Sequence, residues 1–424
     1  MSERESVRQN VQRIVVAGAG MAGVQTVVAL REQGYPGELV LVGAEHHPPY
    51  DRPPLSKDIL LGRAEHSRFE VDYTELGVEL LLGRRAVGLD TERRLLHIEG
   101  GDLPYDRLVL ATGATPVVLP GQPASAYLLR THDDAVALKG VLRPGARIVV
   151  VGAGWIGAEA ATVARLLGCE VTVLEAAPVP LAGALPAEVG ERMRDWYAEA
   201  GIELRTSTGV GGVVAGDERL EGDARTAVLL TDGSELVADA VVVGIGARPD
   251  TGWLDGSGIA LDDTGAVAAD AWLRTSAEGV FAVGDCASFP SARYRTRLRV
   301  HHWDNALQGA RVAATNALRL EELGPEQVYD PVPYFWSEQF GRMVQYAGHH
   351  GAGDELLWRG DPAGGGGWGA LWLRGDVPVA LLAVDRPRDL AQGRRLIERG
   401  RPVDRVSAAD PSVQLKAAVR PELC

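Results

Sequence analysis

The stretch that decides the fold is RIVVAGAGMAGVQTVVALREQGYPGELVLVGAE at residues 13–45, and a second copy, RIVVVGAGWIGAEAATVARLLGCEVTVLE, occupies residues 147–175. Each copy has an apolar run, three glycines in the spacing GxGxxG, a segment of small apolar residues, and a second apolar run that ends in Glu. Continuous apolar runs are typical of parallel strands buried on both faces. The sequence therefore predicts an α/β fold with two Rossmann-like dinucleotide-binding domains.

The glycines of each copy have separate steric roles in such a strand–helix–strand unit. The first permits a tight turn, the second lets the backbone approach a pyrophosphate, and the third lets the helix pack on the strand. The helix that follows then offers free N–H groups and the positive end of its dipole to the phosphates. The glycines, in this order, are Gly18, Gly20 and Gly23 in the first copy and Gly152, Gly154 and Gly157 in the second.

An acidic residue ends each copy, Glu45 in the first and Glu175 in the second. A carboxylate at this position accepts hydrogen bonds from a ribose diol. Two such sites in one chain indicate two dinucleotides, which for this length are one FAD and one NAD(P). Because the Glu175 carboxylate repels a 2′-phosphate, NADH is favoured over NADPH. A solvated strand end is the alternative interpretation of Glu175.

Composition excludes several other classes of protein. The chain has 424 residues, 46% of them hydrophobic, which is enough for two to three domains. A net charge of −14 argues against nucleic acid as a partner. The polar N-terminus lacks an apolar signal segment, and the longest apolar stretch, 14–30, is interrupted by glycines, so we expect a cytoplasmic protein without a membrane span.

Cysteine and histidine usage predicts neither a disulfide framework nor a metal site. Cys169, Cys286 and Cys424 are far apart and lack CxxC spacing. The adjacent His pairs at 46–47, 301–302 and 349–350 point in different directions on a helix or strand, so one pair rarely makes a site.

Five segments of the chain resemble one known family. They are PPYDRPPLSK (48–57), the paired glycine motifs, VGDCA (283–287), WDNALQGA (303–310) and VPYFWSEQFG (332–341). They are similar to the NADH-dependent, FAD-containing ferredoxin reductases that serve bacterial oxygenases and cytochromes P450. The segments are also similar to the related apoptosis-inducing-factor group, which belongs to the pyridine nucleotide-disulfide oxidoreductase superfamily. The resemblance covers the chain from Arg13 to about Leu415.

The resemblance implies a glutathione-reductase-like arrangement of domains. The order of the motifs places a discontinuous FAD-binding domain at 1–117 and 246–325, an NAD-binding domain at 118–245, and an α+β C-terminal interface domain at 326–424. Alternating apolar segments such as GALWLRG (369–375) and PVALLAVD (378–385) indicate antiparallel strands in the last of these. The glycine-rich stretch 362–370 is either a flexible connection or a hairpin.

The family's site residues are carried over position by position. Its flavin contacts fall on Gly18, Gly20, Ala22, Gly23, Glu45, Arg52, Lys57, Val87, Thr112, Gly113, Arg130, Asp285 and Trp303. Its pyridine-nucleotide contacts fall on Gly152, Gly154, Ile156, Gly157, Glu159, Glu175 and Gly246. For Asp285 a simple helix N-cap is the alternative.

Lys57 and Glu159 are the predicted catalytic residues. In the family a lysine at the position of Lys57 lies beside the flavin N5 edge and pairs with a glutamate like Glu159. A cation there stabilises the anionic reduced flavin that hydride transfer creates. Lys57 is one of only three lysines in the chain and follows two prolines, which stiffen its backbone. The alternative is an exposed lysine and a glutamate that only complements the helix dipole.

Electrons are expected to leave the flavin directly, because no cysteine lies between Gly23 and Gly113 to form a disulfide relay. Flavin accepts a hydride and releases electrons singly, which suits an acidic 2Fe–2S ferredoxin. Two arginine-rich segments are candidate docking surfaces for this ferredoxin. They are 292–300, whose four arginines have strand spacing on one face, and 386–405, with seven arginines. The alternative for both is an ordinary solvated face. Trp336 is either the aromatic between flavin and partner or a core residue.

Other functions remain open at this point. The chain fits an NADH-dependent ferredoxin reductase that supplies an oxygenase or cytochrome P450. It also fits an NADH oxidase or a reductase of quinones and other small acceptors. A third alternative is a redox-sensing flavoprotein whose contacts change when NADH reduces it.

Overall fold

The computed structural model describes residues 12–215, 226–319 and 326–420. These residues form two compact units. The first comprises the described parts of Met1–Asp51, Arg68–Thr115 and Arg248–Phe335, and the second those of Arg52–Ser67, Pro116–Ala247 and Trp336–Cys424. Segment 52–67 and the C-terminal region therefore group with the predicted NAD-binding domain, although the sequence assigned them elsewhere. The three-domain boundaries stay a prediction.

The helices and strands are as follows in chain order. The helices are α1 (Met21–Glu32), α2 (His132–Lys139), α3 (Trp155–Leu166), α4 (Ala187–Glu191), α5 (Asp195–Glu199), α6 (Trp303–Leu318), α7 (Pro387–Arg399) and α8 (Arg405–Ala409). The strands are β1 (Arg13–Ala17), β2 (Glu38–Val42), β3 (Val78–Leu81), β4 (Ala86–Asp90), β5 (Leu95–Ile98), β6 (Gly101–Pro104), β7 (Arg107–Leu110), β8 (Ala114–Pro116), β9 (Ala126–Tyr127), β10 (Arg147–Val151), β11 (Glu170–Leu174), β12 (Glu203–Arg205), β13 (Val210–Ala215), β14 (Thr226–Leu230), β15 (Glu235–Ala238), β16 (Ala240–Val243), β17 (Ala247–Pro249), β18 (Val267–Ala268), β19 (Val280–Ala282), β20 (Ala287–Ser291), β21 (Thr296–Arg299), β22 (Tyr334–Gln339), β23 (Arg342–Gly348), β24 (Glu355–Arg359), β25 (Trp368–Arg374) and β26 (Val377–Val384).

The first unit is built on a parallel sheet in the order β19-β7-β1-β2-β3. β1 lies between β2 and β7, with Ile14 opposite Leu39 on one side and Arg107 on the other. Its residues 14–17 are fully buried, as expected for a strand covered on both faces. Helix α1 returns the chain from β1 to β2 and packs against α6. The predicted first strand–helix–strand unit is confirmed.

The second unit contains a parallel sheet in the order β12-β11-β10-β16-β9. β10 pairs with β11 in the register Ile148 opposite Val171, which repeats the relation of β1 to β2. Helix α3 connects these two strands, and its small residues pack on the sheet in a core that includes Val150 and Val173. The predicted internal repeat is therefore present in the fold.

The C-terminal region of the second unit is an antiparallel sheet in the order β22-β23-β26-β25-β24. β25 and β26 are buried along almost their whole length, because α7 packs against the sheet. β24 and β25 pair from Glu355 opposite Leu373 to Arg359 opposite Gly369. The glycine-rich stretch therefore connects a hairpin, which was one of the two predicted alternatives, and β25 already begins at Trp368.

No helix within 12–215, 226–319 and 326–420 combines the length and the apolar character that crossing a bilayer requires.

Candidate functional site

The first glycine turn (residues 18–23) connects β1 to α1. Gly18 has φ +116°, and a Cβ atom on it would lie 2.1 Å from the carbonyl oxygen of Ala111. A Cβ on Gly23 would lie 1.8 Å from the carbonyl oxygen of Gly18. The turn therefore requires glycine at both positions, for the tight bend and for close packing of the helix.

Gly20 is different, because it borders open space. A Cβ atom on it would have no heavy atom of the described chain within 4 Å. Gly20 is the N-cap of α1, no side chain of the described residues caps this helix, and its first turn has no acidic residue. The N–H groups at the start of α1 are thus directed at an open, positively polarised space, which suits a phosphate group.

Two further turns of the first unit lie beside this glycine turn. The turn after β7 contains Gly113, with φ +76°, and its Thr112 hydroxyl donates to the backbone oxygen of Asp250 at 2.7 Å. The turn after β19 contains Gly284, whose Cβ would lie 3.1 Å from the Cβ of Ala22. The carboxyl ends of β1, β7 and β19 therefore converge, as ligand sites of parallel sheets do.

Of the other predicted flavin contacts in the first unit, Glu45 and Trp303 are held by hydrogen bonds and Val87 is exposed. Tyr50 donates to the Glu45 carboxylate at 2.5 Å, which orients that side chain after β2. Helix α6 begins at Trp303, and the indole N–H donates to Asp51 at 2.8 Å. Val87 is 50% exposed on β4. Asp285 lies within the short 3-10 turn Gly284–Cys286, whose N-cap is Val283 and not Asp285.

The second glycine turn (residues 152–157) connects β10 to α3 and repeats these features. A Cβ on Gly152, whose φ is +102°, would lie 2.4 Å from the carbonyl oxygen of Gly244, and one on Gly157 would lie 2.0 Å from that of Gly152. At Gly154 the nearest described atom would be 4.0 Å away. Gly246, with φ +120°, also borders open space. The second turn therefore fits a second pyrophosphate in the same way.

Glu175 is held against the second glycine turn. Its carboxylate accepts hydrogen bonds from the backbone N–H groups of Ala153 and Ala177, both at 2.8 Å. Each oxygen has a further lone pair that remains able to accept from a ribose hydroxyl. The side chain is thus oriented by the turn that would hold the phosphates, which is more order than a solvated strand end has.

Lys57 and Glu159 form an ion pair within the second unit. Lys57 Nζ lies 2.7 Å from Glu159 Oε2, and the Glu159 residue is only 4% exposed. The ammonium also lies 3.4 Å from the carbonyl oxygen of Pro53 and 3.5 Å from Ser56 Oγ. The predicted pairing is present, and the alternative of an exposed lysine is wrong. The role of the pair in hydride transfer stays a prediction.

Two serines that the sequence did not indicate complete this carboxylate cluster (Ser56, Lys57, Glu159 and Ser337). The Ser56 hydroxyl donates to Glu159 Oε2, and the Ser337 hydroxyl donates to Oε1 at 2.7 Å. Both serines stand in segments quoted above for the family resemblance, 48–57 and 332–341. That position was the one available signal, because nothing in the residue type of a serine indicates a distant carboxylate.

Arg52 and Arg130, predicted as flavin contacts, are linked to each other in the second unit. Arg52 Nη1 donates to the backbone oxygen of Arg130 at 2.6 Å. The backbone N–H of Arg130 donates in turn to Asp134, which forms a capping box with Thr131 at the start of α2. Ile156, in the first turn of α3, is 44% exposed beside the second glycine turn.

The first arginine-rich segment does not form the predicted strand face. Only Arg297 and Arg299 lie on β21, whereas Arg295 occupies the left-handed turn before it, with φ +56°. Arg293 precedes this turn. Arg297 also bends back to donate to the carbonyl oxygens of Ala269 and Ser288. The prediction of four arginines on one face is therefore wrong, because the tight β20–β21 turn uses residues 292–295.

The second arginine-rich segment divides into paired and unpaired side chains. Its paired members bond to carboxylates: Arg386 to Asp389, Arg394 to Glu398, and Arg405 to Glu355 and Asp376. Arg388, Arg395 and Arg399 are exposed, make no ion pair with any described residue, and share one face of α7 by their spacing of seven and four. This α7 arginine face is the basic surface that remains in the segment.

The remaining candidates are cysteines, histidines and Trp336. Cys169 and Cys286 are buried free thiols, and burial raises the pKa of each; Cys424 lies outside the described residues. Within the described ranges no three His, Cys, Asp or Glu side chains are grouped as metal ligands. Trp336 lies half-buried on β22, next to Ser337.

Comparison with known proteins assigns the family. Residues 12–310 match the family model described as pyridine nucleotide-disulphide oxidoreductase, and residues 334–419 match one described as reductase C-terminal. The chain belongs to the pyridine nucleotide-disulphide oxidoreductase family. The predicted resemblance and fold class are thereby confirmed.

Relatives in this family match along nearly the whole chain. The ferredoxin reductase component of chlorobenzene dioxygenase from Cupriavidus sp. (strain PS12) is 37% identical over 420 residues, 96% of this chain and 97% of that protein. The crystal structure of Fdr9 matches with a TM-score of 0.89 and 45% identity, covering 97% of this chain and 100% of that one. The reductase in the covalent putidaredoxin reductase–putidaredoxin complex matches with a TM-score of 0.89 and 32% identity, covering 96% and 99%.

Proposed function

We propose that this chain is an FAD-containing reductase that takes a hydride from NADH and passes electrons singly to an acidic 2Fe–2S ferredoxin, which supplies an oxygenase or a cytochrome P450. The observation that carries the proposal is the presence of two glycine turns, each with an open space at a helix N-terminus. The relatives named as ferredoxin reductases of dioxygenase and putidaredoxin systems support the choice of acceptor.

Each of the two glycine turns is assigned to a different dinucleotide. The turn at 18–23, with the predicted contacts Glu45, Thr112, Gly113, Asp285 and Trp303, would hold FAD, and the turn at 152–157 would hold NADH. In each case the backbone N–H groups at the helix start neutralise the pyrophosphate. Glu175 accepts from the ribose diol of NADH and repels the 2′-phosphate of NADPH. Bound FAD supplies the redox chemistry, accepting a hydride and releasing electrons one at a time.

Lys57 is the residue that we assign to stabilising the reduced state. Its ammonium carries three N–H donors, of which one is directed at Glu159 at 2.7 Å. The Lys57 side chain is 17% exposed, and the buried Glu159 carboxylate beside it compensates part of the desolvation of its positive charge. Glu159 thereby fixes the position of a cation that would stabilise the negative charge of a reduced flavin.

No cysteine lies between Gly23 and Gly113, so these residues offer no thiol relay between a bound flavin and an acceptor. Cys286, the cysteine nearest to the predicted flavin contact Asp285 in sequence, is fully buried, and its raised pKa keeps it a thiol rather than a nucleophilic thiolate. The chain has a net charge of −14. Against this, the α7 arginine face offers an acidic partner three guanidinium groups that make no ion pair with any described residue. Such a face raises the association rate of an acidic ferredoxin.

We further propose that the protein works in the cytoplasm. The free thiols of Cys169 and Cys286 suit a reducing compartment, which is also where NADH is regenerated.

Stopped-flow spectroscopy tests the proposed function. The purified protein is expected to show flavin absorbance, to lose it on mixing with NADH faster than with NADPH, and to regain it on addition of an oxidised 2Fe–2S ferredoxin. Lys57→Met is the matched variant, which should retain flavin but be reduced more slowly. A colourless protein would overturn the proposal. Slow ferredoxin reduction beside fast turnover of oxygen or a quinone would favour an oxidase or quinone-type reductase instead.

A further inference from the structure

Glu159 is a buried carboxylate that accepts hydrogen bonds from two serine hydroxyls in addition to the Lys57 ammonium. Its Oε2 atom accepts from Lys57 and from Ser56, which both belong to the segment 53–57. Its Oε1 atom accepts from the Ser337 hydroxyl at 2.7 Å, and Ser337 is the one described residue that donates to this oxygen. Each oxygen is therefore held by a different part of the chain.

The Ser337 hydroxyl has its direction fixed from behind. Gln339 Nε2 donates to Ser337 Oγ at 3.1 Å, and both residues are only 1% exposed. A hydroxyl has a single hydrogen. Since the Gln339 amide occupies the acceptor side of Ser337, the hydroxyl hydrogen is directed at Glu159. The result is a buried series of donors from Gln339 to Ser337 to Glu159.

A second contact joins the same helix to the same segment without touching the carboxylate. The backbone N–H of Phe340 donates to Thr162 Oγ1 at 3.1 Å, and Thr162 lies one turn after Glu159 on α3. The Thr162 hydroxyl itself donates to the carbonyl oxygen of Ala158 at 2.7 Å. Attachment of α3 to residues 337–340 is therefore shared by two hydroxyl groups, of which only that of Ser337 contacts Glu159.

We infer that Ser337 is a positioning residue for hydride transfer: its hydroxyl, oriented by Gln339, holds the Glu159 carboxylate in the orientation that keeps the Lys57 ammonium in place. This inference rests on the proposed function, because it requires that Lys57 stabilise the reduced flavin. Without the Ser337 hydroxyl, Oε1 loses its donor, and a buried charged acceptor without a donor rotates or draws Lys57 toward itself. The ammonium is then displaced from the place where negative charge develops.

Four variants test the inference. Ser337→Ala removes the hydroxyl, Ser337→Thr keeps it, and Thr162→Val removes the other attachment of α3 as a matched control. Lys57→Met reports the full loss of the cation. Each is purified with its flavin, and the rate of flavin reduction is measured against NADH concentration. The midpoint potential of the bound flavin and the midpoint of thermal unfolding are measured in parallel.

Ser337→Ala is expected to lower the limiting rate of flavin reduction about tenfold, the effect of losing one hydrogen bond to a charged group, with the half-saturating NADH concentration unchanged. Its flavin midpoint potential should become more negative, in the same direction as in Lys57→Met and by less. Ser337→Thr should restore both. Thr162→Val should alter neither, although it lowers the unfolding midpoint as much as Ser337→Ala does.

The double variant Glu159→Ala, Ser337→Ala gives a second test, which does not depend on how the threonine of Ser337→Thr packs. In a Glu159→Ala background there is no carboxylate to orient, so Ser337→Ala should have no further effect on the rate or on the potential. Equal losses of the limiting reduction rate in Thr162→Val and Ser337→Ala would overturn the inference and leave Ser337 with a packing role. Additive losses of that rate when Ser337→Ala is combined with Glu159→Ala would overturn it too. A limiting rate and potential unchanged in Ser337→Ala would overturn it as well.

Failure of the inference is distinguishable from failure of the proposed function. If Lys57→Met is slow and Ser337→Ala is not, the inference fails while the function stands. If the wild-type protein is not reduced by NADH, the proposed function itself fails. If Lys57→Met is reduced at the wild-type rate, the assignment of Lys57 fails, and the inference fails with it.

Discussion

Replacement of Gly154 by alanine should separate the binding of NADH from the folding of the second unit. Gly154 is the N-cap of α3 with φ −77° and ψ −174°, an extended conformation that alanine adopts without strain. The added methyl group would have Gly244 O as its nearest neighbour, at 4.0 Å. Alanine is a poorer N-cap than glycine by about 0.5 to 1 kcal/mol. For a unit of this size the unfolding midpoint should fall by only about 1 to 4 °C.

The effect on NADH should be larger. In Gly154→Ala the methyl group occupies the open space into which the N–H groups of α3 point. Displacing a phosphate from this helix end forfeits up to about 2 kcal/mol of charge–dipole interaction. This corresponds to a rise of about 30-fold in the dissociation constant of NADH. The assay is the NADH dependence of the flavin reduction rate, together with the flavin content, which should equal that of the wild type because the flavin is assigned to the other glycine turn.

Gly157→Ala is the matched control, three residues away in the same motif. Its Cβ would lie 2.0 Å from the carbonyl oxygen of Gly152, so the start of α3 must move away from the turn. Overpacking of this kind costs about 1 to 3 kcal/mol, which lowers the unfolding midpoint by roughly 2 to 12 °C. The reasoning is refuted if Gly154→Ala binds NADH as the wild type does, or if Gly157→Ala unfolds at the wild-type temperature.

Three further predictions concern other parts of the molecule. Lys57→Arg keeps the charge, but a planar guanidinium cannot reproduce the contacts of the compact ammonium. Flavin reduction should therefore slow about tenfold in stopped-flow measurements. An unchanged rate would show that the shape of the side chain does not matter for flavin reduction. Replacing Arg388, Arg395 and Arg399 together by Gln removes three positive charges, which should raise the KM for an acidic ferredoxin and flatten the dependence of KM on salt. A variant with wild-type KM would exclude the α7 arginine face as the docking surface. Burial lowers the pKa of His350 from 6.5 to about 4, so the unfolded chain takes up this proton first as the pH falls, and stability is lost between pH 6.5 and 4. His350→Gln should flatten this loss in thermal unfolding at several pH values, and an unchanged slope would contradict it.

The parts of the fold that could be predicted from the sequence are those with local rules. A glycine at φ +116° in front of a helix leaves a pattern in the residues themselves, as do strands buried on both faces, so both strand–helix–strand units and their order were predictable. The pairing of Lys57 with Glu159 was predictable only through the family resemblance. Their separation of about a hundred residues in the chain carries no local signal.

What could not be predicted depends on side-chain direction and on non-local contacts. The alternation of arginines at 293–299 predicts a strand face, but a tight turn at Arg295 interrupts the period. The charge count of segment 386–405 gives no indication that Arg405 bonds to Glu355 and Asp376, which lie outside this segment. Ser337 is similar: the sequence places it next to Trp336 on a strand, and only the fold brings its hydroxyl to Glu159.

Helix α3 connects the binding of NADH with the position of the catalytic cation. Gly154, at its start, borders the proposed phosphate site, and Glu159 follows five residues later, about 7.5 Å along the helix axis. A helix of this length behaves as a rigid rod, so a dinucleotide bound at its N-terminus is placed in a fixed register with the Glu159–Lys57 pair. Changes that leave the helix in place should therefore lower only the affinity for NADH. For Gly154→Ala we accordingly expect an unchanged rate of flavin reduction at saturating NADH. Changes that shift the rod, as Gly157→Ala does, should lower the affinity and the limiting rate of flavin reduction together.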